Sequence, residues 1–139
     1  MKLLDANIFL RYLAAPVSPA DIRKNAAASK LFAAIAEGSQ AATSCEAAIH
    51  EVFYVLCSRN VYGLDHRTAA RYMRRILSRR SFQLPRKGIF LRAIDLFAEH
   101  AFLDYSDALQ IAYAEVDGHQ LVSFDEQWDR IPALQRFEP

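Results

Sequence analysis

Cysteine is scarce, with two residues, Cys45 and Cys57, in a chain of 139. Both fall in one stretch of helical character, about 18 Å apart at 1.5 Å rise per residue, so they cannot bridge within that helix. A disulfide-stapled fold is excluded, no Cys/His spacing resembles a zinc site, and two thiols without a framework fit a reducing cytoplasm. Glycine is also sparse: four residues, at 38, 63, 88 and 118, each isolated. No glycine-rich loop can therefore cradle a phosphate, and no Gly-x-Ser-x-Gly elbow is present. No apolar run approaches the ~18 residues that cross a membrane, and Asp5 and Arg11 cut the opening Met1-Lys2-Leu3-Leu4 too short for a signal peptide.

Acid is missing from one long segment. Between His66 and Ile94 stand Arg67, Arg71, Arg74, Arg75, Arg79, Arg80, Arg86, Lys87 and Arg92, and no Asp or Glu. The segment carries about +9 and the remainder about −8, although the whole chain is nearly neutral. A basic stretch beside an acidic site suits an enzyme that acts on a polyanion, and a solvated helix face would look the same by charge alone. Arg71, Arg74, Arg75 and Arg79 are the candidate residues to contact such a polyanion.

What is present reads as one domain over residues 1–139, of ordinary soluble composition. Lys2–Leu4 is a short apolar run consistent with a buried strand, and Asn7 can cap a helix over Ile8–Leu13. Ser18-Pro19-Ala20-Asp21 announces a second helix that stops at Gly38. Ala41–Thr43 is a weak strand, and Thr43-Ser44-Cys45-Glu46 reads as a capping box for a helix to about Ser58. Helices follow over Asp65–Arg79, Arg86–Glu99 and Ser106–Glu115, with strands at Ser81–Leu84, Leu121–Ser123 and Leu134–Phe137. Such alternation predicts an α/β fold with a parallel sheet covered on both faces, whose ligands sit at the carboxyl ends of the strands. Asp5 and Asp125 both fall there.

Four acids stand out, each with a plainer reading beside it. Asp5 ends an apolar strand and also suits a turn. Glu51 has Ala47, Ala48, Tyr54 and Val55 at helical neighbour spacing, which predicts burial and therefore a cation, either an arginine or a metal. Asp107 opens a helix, where the dipole alone favours an acid, and Asp104 is a natural cap for it. Asp125 follows Val122-Ser123-Phe124 as a second strand-end acid. Jointly, two acids at strand ends and two on helices aimed at those ends predict one shared pocket. Such a cluster calls for a hard divalent cation, which takes oxygen ligands and offsets the mutual repulsion.

Rival chemistries fail on single residues. His50-Glu51-Val52-Phe53-Tyr54 has Tyr54 where a helical zinc protease needs its second histidine, and Asn7 stands where a phosphoaspartate enzyme wants a second Asp. The aromatic residues Phe53, Tyr54, Tyr72, Phe97 and Tyr113 recur at helical spacings and are read as core rather than as stacking platforms.

Leu3-Leu4-Asp5-Ala6-Asn7 resembles the opening motif of PIN-domain nucleases. Thr43-Ser44 followed by Glu51-Val52 resembles the second motif, and Asp104-Tyr105-Ser106-Asp107-Ala108-Leu109 the third. Leu121-Val122-Ser123-Phe124-Asp125 is similar to the fourth, with Ser123 in place of the commoner threonine. The closest subgroup by resemblance is the VapC-type toxins of toxin–antitoxin pairs. That resemblance implies a three-layer α/β/α sandwich with a central, mostly parallel sheet, a Mg2+ or Mn2+ site, RNA cleavage, a homodimer and an inhibitory antitoxin. It makes Asp5, Asp107 and Asp125 the nearest metal ligands and Glu51 a ligand or a base acting through water. Asn7 and Ser123 would orient the carboxylates from behind, and Asp104 would be a cap or an outer acid. Helices around Ser18–Glu37 and Ser44–Asn60 are expected to form the antitoxin's groove. A PIN-like module that binds RNA or protein without cutting is the alternative.

Overall fold

Parallel pairing begins with the first residues of the chain. In the computed structural model, which describes residues 1–139, Lys2–Leu3 (β1) lies parallel to Ala42–Thr43 (β2), with Lys2 opposite Ala42 and Leu3 opposite Thr43. Ala42 is fully buried and also bridges Phe82 on its other side, with Gln83 N–H donating to the Ala42 carbonyl at 2.7 Å. Leu121–Val122 (β3) and Arg136–Phe137 (β4) form a separate parallel pair. Every pairing is thus parallel, as expected, but the strands are two residues long and the sheet is in two pieces. The fold is mainly helical with a small parallel sheet; the expected single central sheet of a sandwich is not formed. The Ser81–Leu84 strand contracts to the one bridge at Phe82.

Six helices carry the mass: α1 (Ala6–Leu13), α2 (Pro19–Glu37), α3 (Glu46–Cys57), α4 (His66–Leu77), α5 (Lys87–Glu99) and α6 (Tyr105–Asp117). Their ends follow local chemistry. Ser18 Oγ accepts from the Asp21 N–H, Asp65 accepts from the Thr68 N–H at 2.7 Å, and α2 ends at Gly38, whose φ of 84° costs a residue without Cβ little. α4 turns Ala69, Ala70, Met73, Ile76 and Leu77 inward, which leaves its arginines on the outer face. Phe53 of α3 stacks on Tyr105 of α6 at 4.2 Å between ring centres and meets Phe97 of α5 edge-on at 4.9 Å. This aromatic knot locks together α3, which carries Glu51, α5, and α6, which carries Asp107. Of the five aromatics read as core, Phe53 and Phe97 are buried, whereas Tyr54 and Tyr72 are exposed and Tyr113 is half-buried.

Three local expectations are corrected. Asn7 does not cap α1: the helix begins at Ala6 after Asp5, whose carbonyl accepts from the Ile8 N–H at 3.1 Å, so Asn7 lies inside the first turn. The Thr43–Glu46 capping box does not form, because Thr43 is held in β2 opposite Leu3 and α3 begins only at Glu46, after Cys45; Ser44 between them donates its buried hydroxyl to the Leu4 carbonyl at 2.7 Å. The first strand is not buried; Leu3 is 72% exposed and only Leu4 enters the core.

Candidate active site

At the end of β3 the chain makes a tight, cross-linked turn. Ser123 N–H donates to the Phe137 carbonyl at 3.0 Å, which anchors the strand end. Ser123 Oγ then accepts from the Asp125 N–H at 3.0 Å and from the Trp128 indole N–H at 3.2 Å. The Asp125 carboxylate accepts from the Gln127 backbone N–H at 3.0 Å and from the Gln127 side-chain amide at 2.8 Å. Arg136 closes the turn from outside, reaching the Ser123 carbonyl at 3.0 Å and pairing with Asp129 and Glu138. Ser123 therefore shapes the backbone around Asp125 rather than orienting a carboxylate directly, which corrects the role expected for it.

Asp104 and Asp107 open α6 as a reciprocal pair. Asp104 accepts from the Asp107 N–H at 2.8 Å, and Asp107 accepts from the Asp104 N–H at 3.3 Å. Burial pushes the Asp107 carboxyl above its ordinary value, the nearby Asp104 charge adds to this, and Asp125 contributes in the same direction. The turn after β3 and the start of α6 thus bring three acids into one electrostatic neighbourhood.

Asp5 sits at the end of β1 with an exposed side chain that makes no helix-capping bond. The Ser44–Leu4 hydrogen bond fastens this strand end to the start of α3. Glu51 is exposed on α3, contrary to the burial expected from its neighbours. The buried stripe of α3 is Ala48, Ile49, Val52, Phe53 and Leu56; Ala47 and Tyr54, counted as apolar cover for Glu51, face outward. No hydrogen bond or ion pair ties Asp5, Asn7 or Glu51 to the three acids at α6. No three carboxylate, imidazole or thiol groups stand close enough to hold one ion together.

A family model described as PIN domain matches residues 2–134. The chain belongs to the PIN domain family. No curated protein matches it. PIN domains have a nuclease-like fold, typically act as metal-dependent nucleases and generally bind divalent metals. The residues of this PIN domain fit such a cation by their chemistry. The donors are hard carboxylate oxygens, and both the burial that chiefly raises Asp107 and the like charges that add to it are what a divalent charge offsets. Magnesium commonly takes only one or two protein carboxylates and completes its shell with water and phosphate, so a preformed cage is not required.

The basic residues of the PIN domain divide into paired and free. Arg74 is held by Asp95 at 3.2 Å, Arg86 by Asp117 and Arg92 by Glu115. Arg71, Arg75 and Arg79 form no salt bridge. Arg75 and Arg79 edge a cavity of about 610 Å³, whose apolar wall includes Tyr12, Phe32, Tyr72 and Ile76. That cavity is bounded by α1, α2 and α4, whereas the expected groove lay between α2 and α3.

Gln127 and Trp128, which hold the Asp125 turn, escaped the sequence reading. An Asp two residues before a polar residue, just past a strand, is the signature of a side-chain-to-backbone turn and was the available signal. Tyr113, which donates to Glu46 at 2.5 Å across α6 and α3, carries no such local signal.

Proposed function

We propose that this PIN domain is a metal-dependent endoribonuclease and the toxin of a VapBC-type toxin–antitoxin pair. The observation that carries the nuclease reading is the PIN domain match over residues 2–134, in a chain whose α6 opens on the paired acids Asp104 and Asp107, with Asp125 near enough to add to the rise of Asp107. Asp107 and Asp125 would hold Mg2+ or Mn2+, with Asp5 as the third ligand and Glu51 as a ligand or a base acting through water. When bound, the cation lowers the pKa of water and neutralises charge on the phosphate under attack.

The chain's own residues do the positioning. The capping box holds Asp107 against α6, so its carboxylate is placed before any ligand arrives. Gln127 orients the Asp125 carboxylate through both of its oxygens. Ser44 sets the angle at which the chain leaves β1 and enters Asp5. The free arginines Arg71, Arg75 and Arg79 would meet the RNA backbone, and Arg74 would do so less because Asp95 already holds it.

The toxin reading rests on the resemblance of the four motifs to VapC-type proteins and carries with it a homodimer and an antitoxin. An uncompensated acidic pocket is a receptor for Arg or Lys side chains, so a basic segment of the antitoxin would enter near Asp5 and Asp107. The deciding experiment is cleavage of single-stranded RNA with and without Mg2+, by wild type and by Asp5→Asn with its fold verified by circular dichroism. Metal-dependent cleavage lost in Asp5→Asn supports the nuclease; equal RNA binding without cleavage would establish the non-cutting module instead. Growth arrest on expression of the chain alone, relieved by a neighbouring small gene product, tests the toxin assignment separately.

A further inference from the structure

A second cavity, about 300 Å³, opens beside Asp104. Its floor is the buried aromatic knot of Phe53, Phe97 and Tyr105, and its rim carries His50, Tyr54, His66 and Phe102. Three features make it more than a gap in packing. The Nδ1 of His50, a residue that lines the cavity, is buried without any hydrogen-bond partner, a costly condition in a packed wall. The His66 ring stacks flat on Phe97 at 3.8 Å, and its Nδ1 faces the Phe97 carbonyl at 3.0 Å. A carbonyl only accepts, so Nδ1 donates this bond, and Nε2 is left as the ring's remaining polar atom. Tyr54, at 67% exposure, presents an aromatic ring at the mouth with no packing to explain it.

The neighbourhood supplies a cation as well. Arg130 lies in the turn after Asp125, with its guanidinium 3.8 Å from the centre of the Phe102 ring. It forms no ion pair, so its charge is available beside a cavity that borders the acidic cluster. Flat rings, unpaired imidazole nitrogens and a free guanidinium together match a nucleotide: a base to stack, its edge to hydrogen-bond and a phosphate to neutralise.

We propose that this pocket takes one base of single-stranded RNA, next to the phosphate that a cation at Asp107 and Asp125 would meet, with Asp104 between the two. The proposal rests on the ribonuclease reading and deepens it, because it makes the cavity the source of base preference next to the cut. Tyr54 stacks the base, His50 and His66 meet its edge, and Arg130, seated on the Phe102 ring, contacts a flanking phosphate.

The test uses the full chain in chelator, with the four nucleoside 5′-monophosphates as probes and ribose 5-phosphate as the base-free control. Binding is read from the imidazole NMR signals of His50 and His66, with His119, which lies outside this cavity, as the internal reference. At least one nucleotide should move the His50 and His66 signals while ribose 5-phosphate moves neither. Tyr54→Ala, at an exposed position that leaves the core intact, and His50→Gln should each weaken that binding about tenfold or more. The proposal is overturned if no nucleotide moves these signals, if ribose 5-phosphate moves them equally, or if both variants bind as wild type does. Cleavage mapping on a random-sequence RNA separates the two readings. Cutting whose base preference is unchanged in Tyr54→Ala overturns the pocket and leaves the nuclease standing. Nucleotide binding at His50 without any cutting supports the pocket and removes the nuclease.

Discussion

Asp104 and Asp107 each accept a hydrogen bond from the other's backbone N–H, so two acids that repel through their charges are held together by their main chains. Local helix chemistry therefore supports an arrangement that electrostatics opposes. Replacing Asp107 by Asn keeps an oxygen acceptor for the Asp104 N–H and removes the like charge. In chelator, Asp107→Asn should melt higher than wild type by a few degrees. Added Mg2+ should raise the melting temperature of wild type and leave that of the variant unchanged, which differential scanning calorimetry can check. A variant that melts lower in chelator would show that the charge is stabilising there.

Ser44 is the one buried polar residue, and its hydroxyl joins the β1 end to the start of α3. Ser44→Ala leaves the Leu4 carbonyl without that donor and should cost about 1–2 kcal/mol in urea unfolding. Because Leu4 precedes Asp5, RNA cleavage should fall by more than the loss of folded protein explains, whereas Ser44→Thr should recover part of it.

Asp65 caps α4, and its carboxyl is held below the ordinary Asp value, first by the Thr68 backbone N–H. A depressed folded pKa means that its stabilisation is complete above the ordinary value of 3.8 and disappears as pH falls through the lower folded value. Asp65→Ala should therefore melt about 2–5 °C below wild type at pH 7. The gap should close as both proteins are titrated into strong acid. A gap that persists unchanged at low pH would mean that the charge of Asp65 plays no part in the cap.

Arg75 and Arg79 lack acidic partners, while Arg74 is paired with Asp95. With cleavage blocked by Asp107→Asn, Arg75→Gln and Arg79→Gln should each weaken single-stranded RNA binding. Each should also lower the slope of log affinity against log salt by about 0.7, one released counterion's worth. Arg74→Gln should change the slope less. Equal slopes for all three variants and the parent would assign the basic face to solvent or to a dimer contact.

Much of this protein was legible because its signals are local. Ser18, Asp65 and Asp104 cap helices through bonds that span three residues, and Gly38 and Gly118 end helices by adopting a backbone that other residues resist. The positions of Asp5 and Asp125 just past strands, and of Asp107 in the first turn of a helix, were also legible. Tertiary structure decided what depends on partners distant in sequence. Thr43 does not cap α3 because it pairs with Leu3, forty residues away in sequence, while Ser44 beside it donates to the Leu4 carbonyl. Glu51 came out exposed because packing against the neighbouring helices selected Ala48, Ile49, Val52 and Phe53 as the inner face of α3, and no rule of spacing says which side of a mostly apolar helix the core will claim. Strands of two residues hold too little pattern to specify their register, so the sheet's division into two pieces was set by long-range pairing alone.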